Sequence, residues 1–264
     1  MHDLLSADKW LKVWTYRETF LNGLLNTVET AVVALLLSFV IGVVIGLMST
    51  SGKKVLRAVA RVYVEIIQNT PLLLQVLFLY YALAFSGHSL GVIRTGMIAL
   101  GVYHGAYMAE VIRAGITAIP AGQFDAAHSQ GFGYVGLMYH IIIPQTVKII
   151  LPPMVNQVVA LIKNTSCLYI IGGADLISAT YSFVTGAQTG GAYAPAYLVS
   201  GIIFFLVCFP LSRTAGRWEA NLKTRETVTA QPNAQPEITD AELDALIREE
   251  HLDENNGEGK VDAP

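Results

Sequence analysis

A chain of 264 residues with 53% apolar and only 14% charged side chains is too greasy for an ordinary soluble domain. Its formal charge of −3 conceals two unlike regions: residues 1–225 hold 15 basic against 9 acidic side chains, and residues 226–264 hold 2 against 11. The basic excess clusters at the ends of apolar runs, so it reads as membrane topology and not as a nucleic-acid surface.

Hydrocarbon about 30 Å thick takes roughly 20 apolar helical residues to cross. The first predicted span covers residues 31–48, with Ser38 its only strongly polar side chain, and extends back towards Leu24. Gly42 and Gly46 within it form a small-xxx-small pair suited to close helix packing. Further spans are predicted over 62–85, 96–117, 146–162 and 194–211. The expected fold is therefore all-α, a polytopic membrane protein of about five transmembrane helices. No cleavable signal peptide is read, because the first apolar run is long and follows a charged, aromatic segment.

Lys53, Lys54, Arg57 and Arg61 follow the first span with no acid among them, and Arg213, Arg217, Lys223 and Arg225 follow the last. The connections 86–95 and 163–194 carry one basic residue each, Arg94 and Lys163. The positive-inside rule then places the N-terminus outside and the C-terminus in the cytoplasm. Lys9, Lys12 and Arg17 oppose this mildly, offset by three acids in the same segment. The same topology puts Cys167 and Cys208 towards opposite faces, against a disulfide, and their spacing fits neither metal nor redox chemistry.

Glu65 and Glu110 lie within predicted spans, where an ionised side chain costs about 2.5–3.5 kcal/mol on insertion scales and must face protein, water or an interface. Glu110 and Arg113 share a helix face and read either as a structural ion pair or as gating or substrate groups. Gln68, Asn69 and Thr70 precede Pro71 and predict a helix break, which either lines a cavity or serves interhelical hydrogen bonding. Asn156, Gln157, Lys163 and Asn164 read as translocation-path groups or as interhelical glue with a snorkelling lysine. His104 and His128 lack partners at metal spacing, so both read as packing residues, and no metal site or cofactor is expected. No phosphate loop is present, since Gly46 through Gly52-Lys53-Lys54 has one residue too many and lacks the Ser or Thr.

Between the third and fourth spans a polar stretch, 119–145, interrupts the apolar chain. Pro120 suits the first turn of a helix, Gly122, Ala126 and Ala127 keep its surface small, Asp125 lies within it, and Gly131 suits a left-handed stop. A short helix outside the bilayer is the expectation. After residue 225 the acidic remainder reads as largely disordered. One helical piece is expected there, with the capping box Thr239/Glu242, the staple Ile238/Leu243, and Leu243, Leu246 and Ile247 on one face.

At 125–144 the chain resembles the membrane permease subunits of ATP-binding-cassette (ABC) importers. Their motif is E-A-A, three residues, Gly, nine residues, I-x-L-P. Here Asp125-Ala126-Ala127, Gly131 and Ile141-x-Ile143-Pro144 keep every spacing, with Asp for Glu and Ile for Leu. Gly23-x-x-x-Thr27, the block Tyr63 to Leu73, the block Gly105 to Ile116, and Lys163-Asn164-Thr165-Ser166 with Ile171-Gly172 and Asp175-Leu176 are similar to the polar amino-acid importers among them. Gln68 and Asn69 depart from the Arg and Gly of that family. The match covers residues 21–211 and leaves the tail uncovered.

The resemblance implies a domain plan of an extracytoplasmic segment 1–20, a transmembrane domain 21–217 with a coupling loop 118–144, and a cytoplasmic tail 218–264. It implies a non-enzymatic subunit whose partners are a cytoplasmic ABC ATPase dimer, a second permease chain and an extracytoplasmic amino-acid-binding protein, with ATP bound by the ATPase. Pro120, Gly122, Asp125, Ala126, Ala127, Gly131 and Pro144 are the implied coupling residues. Glu65, Gln68, Asn69, Thr70, Asn156, Lys163 and Asn164 are candidates for the substrate path. Two rivals are a proton- or sodium-driven transporter using Glu65 and Glu110 as relays, and a non-transporting scaffold. In intact cells, a thiol at Phe124→Cys or His128→Cys should resist an impermeant maleimide and react after permeabilisation; labelling from outside would overturn the topology.

Overall fold

The computed structural model describes residues 6–187 and 191–230, and every ordered element among them is helical. The chain divides into two compact units, Met1–Glu219 and Ala220–Pro264. The predicted capping box and acidic helix at 238–247 lie outside the described residues.

Among the described residues ten α-helices follow in order: α1 (Ala7–Thr15), α2 (Arg17–Ser49), α3 (Lys54–Gln68), α4 (Leu72–Phe85), α5 (Val92–Thr117), α6 (Ala121–Ser129), α7 (Tyr134–Leu137), α8 (Ile143–Asn164), α9 (Leu176–Thr185) and α10 (Tyr193–Ala230). A single wide turn, Met138–Ile142, joins α7 to α8, and a tight 3-10 stretch, Thr165–Ile171, follows α8.

Helix α5 is the centre of the unit, and its small residues explain why. Gly42 and Gly46 of α2 leave room for Met108 and Ile112 of α5: a Cβ at either glycine would come within 2.6 and 2.9 Å of theirs. Gly101 and Gly105 of α5 return the favour to Leu37 and Ile41. Both chains of contacts ascend together, so α2 and α5 run parallel at backbone-contact distance. On its other side Gly115 abuts Ile150 and Thr146, while Gly96 abuts Leu168, so α8 runs antiparallel to α5.

Parallel α2 and α5 require the chain between them to travel back, and α3 and α4 do so as a pair bent by 101°. The helix break expected before Pro71 falls at 69–71, and the predicted span over 62–85 is corrected only at its start, which lies at Lys54. By length and apolarity α2, the rod Val135–Ile171 and the first part of α10 can each cross a bilayer alone, and the bent pair makes a fourth crossing. At 26 residues α5 is long enough, but it is less apolar because it is walled by protein. The fourth span is longer than the predicted 146–162 at both ends.

The connection 163–194, expected as an outer loop, is instead folded. Thr27 of α2 accepts the Leu176 N–H at 3.0 Å, and the Asn26 amide donates to the Ala174 carbonyl at 2.9 Å. A Cβ on Gly23 would lie 2.7 Å from that of Ala179, so the Gly23-x-x-x-Thr27 face seats the start of α9. Buried Asp175 caps α9, accepting from the Ile177 N–H at 3.0 Å and from the Ser178 hydroxyl, while burial pushes its carboxyl above the usual range. Residues 7–20, expected as a separate segment, join this end: Val13 and Phe20 are buried with Leu176, Phe183, Val184 and Ala196. At the other terminus α10 runs on to Ala230, beyond the boundary at 218 expected for the tail.

The glycine seam generates a stability prediction. Overpacking costs roughly 1–3 kcal/mol, so Gly42→Val should lower the apparent Tm of the detergent-solubilised protein by several degrees. Gly201→Val, with nothing within 4 Å of its Cβ, should leave it unchanged. Equal melts by circular dichroism would refute a tight seam.

Candidate functional site

Helix α5 ends at Thr117, two residues before Ile119, and a residue preceding a proline is disfavoured in the helical region. Pro120 lies just before α6, as its N-cap with φ −57° and ψ 138°, and not within the first turn as the sequence suggested. The nine-residue helix ends at Ser129, and the chain leaves it through the left-handed Gly131, φ +83°, whose N–H reaches the His128 carbonyl at 2.9 Å. The Phe132 N–H closes on the Ala127 carbonyl at 3.1 Å. No non-glycine residue has positive φ among the described residues, so Gly131 occupies a conformation that a side chain would strain.

The short helix presents two faces. Ala127 is 2% exposed and packs with Ile112, Ile116, Ile119, Leu137, Met138, Ile142 and Ile150, flanked by half-buried Phe124. Gly122, Asp125, Ala126 and Ser129 are exposed. Ala127 thus holds α6 to its own chain, and Gly122, Asp125 and Ala126 are among the residues of its exposed surface. Beyond it the wide turn Met138–Ile142 ends one residue before Pro144. In an unbroken α-helix the proline ring would strike the carbonyl four residues back, and the wider turn relieves that clash.

Two cavities lie at this end of the unit, the first with a mainly apolar lining and the second with a mainly polar one. One, an open cleft of about 550 Å³, is bordered by α6, the ends of α2 and α5 and Arg57 of α3, with Thr50, Thr117, Phe124 and Asp125 on its wall. The other, about 360 Å³, lies between α3 and α5 and is lined by Arg61, Glu65, Gln68 and Glu110 among others. Ser49, Arg57 and Arg113 border both. Arg113 grips Glu110 with a two-point fork, Nε to Oε2 at 2.9 Å and Nη2 to Oε1, so the structure makes them an ion pair. Their side chains are 40% and 43% exposed, which places the pair on a cavity wall and limits what it adds to stability.

The predicted break at 68–71 divides its residues between two tasks. The Asn69 amide donates to the Glu65 carbonyl at 2.7 Å and the Thr70 hydroxyl to that of Ile66 at 2.8 Å. These cap the end of α3 and are not interhelical bonds. The Gln75 amide, from the next turn, completes the set at the Ile67 carbonyl, 2.9 Å, and the Thr70 hydroxyl, 2.7 Å. Gln68 lines the cavity and points to the Ala106 carbonyl of α5 at 3.5 Å. Of the other path candidates, Asn164 donates to Nε2 of buried His104 at 3.1 Å, joining α8 to α5. Asn156 and Lys163 are exposed on the chain's surface and are not brought to the cavities.

Sequence reasoning missed Gln75, Arg57 and Arg61 as site residues. A lone amide in the otherwise apolar α4 was the available signal for Gln75. The two arginines were absorbed into the topology count. No grouping of three His, Cys, Asp or Glu that could hold a metal occurs among the described residues.

Residues 25–219 match the family described as the inner membrane component of binding-protein-dependent transport systems. The chain is 37% identical over 193 residues to the probable glutamine ABC transporter permease protein GlnM of Bacillus subtilis, covering 73% of this chain and 88% of that one. It is 30% identical over 207 residues to the arginine transport system permease protein ArtQ of the same organism, covering 78% and 93%. A crystal structure of an amino acid ABC transporter with histidines superposes with a TM-score of 0.73 at 32% identity, covering 80% of this chain and 98% of that one. A parallel, glycine-seamed helix pair, a bent return and a short exposed helix on a continuous α7–α8 rod are thus the parts of a known architecture, and the chain belongs to the inner-membrane permease components of binding-protein-dependent ABC transport systems.

Proposed function

We propose that this chain forms the membrane path of an ATP-driven importer of a polar amino acid and receives the power stroke through α6. The observation that carries the reading is the two-faced coupling helix: one side is locked by Ala127 and Phe124 into the cluster that holds the ends of α5 and α8, the other is bare. A push on the bare side reaches two spans with little slack, because close-packed cores transmit displacement. An ATPase groove is the partner such a stub suits, and hydrolysis belongs to that separate subunit. The names of the relatives, glutamine and arginine permeases, support an amino-acid cargo. Their different side chains leave the individual amino acid open.

In this reading the α6 end faces the cytoplasm, as the basic residues Lys53, Lys54, Arg57 and Arg61 favour, and the α9 end faces a substrate-binding protein. Five crossings enclose a path poorly by themselves, so a second permease chain, identical or related, completes it. Gln68 and Glu65 at the bend are the path residues of this chain, while Asn69 and Thr70 keep the bend's backbone satisfied.

The test is reconstitution with the cognate ATPase and binding protein, reading ATPase stimulation and amino-acid uptake together. Gly131→Val and Ala126→Arg should insert normally yet lower both readouts by roughly tenfold or more, since one strains the helix stop and the other obstructs docking. Undiminished uptake in both variants would remove α6 from the coupling role.

A further inference from the structure

The short helix α1 carries a pattern that transport does not explain. Wound at roughly 100° per residue, its side chains fall into three arcs. Val13 faces the chain and is buried with Phe20 and with Ala192 and Ala196, where α10 begins. Asp8, Lys9 and Lys12 lie on a second arc. Trp10, Trp14 and Leu11 lie on a third, about 100° wide, and are 37%, 68% and 62% exposed. In a soluble domain the apolar stripe of a helix turns to the core. Here the core takes Val13 alone, and the two indoles and the leucine point elsewhere.

The surroundings of α1 say what meets that arc. Only Tyr16 separates it from α2, which is long and apolar enough to cross a bilayer. Its contacts on α10, another such helix, lie level with Tyr193 and Tyr197. Both tyrosines are exposed, and exposed tyrosine and tryptophan at the end of a span mark the headgroup level. An indole joins an apolar body to a polar N–H and suits the same depth. The Arg17 guanidinium stands 5.3 Å from the centroid of the Trp14 ring, so a cation accompanies the aromatic arc.

We infer that α1 lies in the headgroup layer of the membrane, with Trp10, Leu11 and Trp14 against the phospholipid acyl boundary, Arg17 at the phosphates, and Asp8, Lys9 and Lys12 towards water. A helix with one charged and one aromatic arc binds such an interface by burying its apolar side a few ångströms deep, roughly 5–10 Å. Through Val13 it ties the cluster of α9 and α10 to the membrane plane. The inference needs the chain to cross a membrane and depends neither on the solute carried nor on the side to which α9 faces.

The chain has three tryptophans, so Trp218→Phe leaves Trp10 and Trp14 as its only indoles. That full-length variant, or Trp218→Tyr should it fail to insert, is reconstituted into phosphatidylcholine vesicles. The lipid is brominated either near the carbonyl end or near the methyl end of one acyl chain, and iodide is added on both sides of the membrane. Shallow bromine should lower the indole emission about twofold or more, deep bromine less, and iodide by under about a tenth. In the same background Leu11→Asp should at least roughly double the iodide effect, whereas Leu11→Phe should not change it. Strong iodide quenching without an effect of shallow bromine would put the arc in water, open to a soluble partner, and protection from both would mean that a second chain covers it. Either result overturns the proposal. So does stronger quenching by deep bromine, which would sink α1 into the hydrocarbon.

Discussion

Everything in this protein is arranged around the close parallel apposition of α2 and α5. Four glycines, two on each helix, let Leu37, Ile41, Met108 and Ile112 drop into the facing backbone, so the two helices touch along most of their length. In hydrocarbon there is no hydrophobic drive to bring helices together, and such interlocking supplies the attraction through dispersion. Parallel neighbours joined in sequence oblige the chain to return between them, and the return is where the fold departs from straight rods.

That return is bent by 101° inside a region where an unpaired carbonyl is expensive. The bend survives because its freed acceptors are met one by one. Asn69, Thr70 and Gln75 donate to the carbonyls of Glu65, Ile66 and Ile67. With the backbone satisfied locally, Gln68 and Glu65 are left to face a cavity instead of repairing the helix. The polar residues of this segment are thus of two kinds, those that make a bend tolerable and those that the bend presents.

The same cavity meets the space under α6 across Ser49, Arg57 and Arg113. The end of α2, α3, the last turns of α5 and α6 therefore border two adjoining cavities, with Arg113 on the wall of both. The half-exposed Glu110–Arg113 pair contributes little to stability, and its place beside the two cavities is its more informative property. Opposite, at the α9 end, Thr27 anchors the folded connection by a buried hydrogen bond from the Leu176 N–H, whose loss costs about 1–3 kcal/mol, and Asp175 caps α9. One end of the unit is pinned and the other is hollow.

Local chemistry was readable in the residues themselves. Apolar run length located the spans, Pro71 and the amides before it announced a break, and Gly131 announced the stop of a short helix, because each acts on its own few φ and ψ angles or on its own transfer energy. Gly42 and Gly46 could be seen as a packing pair, but nothing in them named Met108 and Ile112 as the residues they receive. Three assignments needed the tertiary structure: that Ala127 turns inward while Ala126 turns out, that Asn164 serves His104, and that the connection 163–194 folds onto Gly23 and Thr27. These depend on which helix lies opposite, a relation between positions up to 149 residues apart that no local periodicity encodes. The sequence alone thus determined which segments enter the membrane and where they break, while the packing of α2 and α8 around α5 decided which polar groups became structural and which were left facing a cavity.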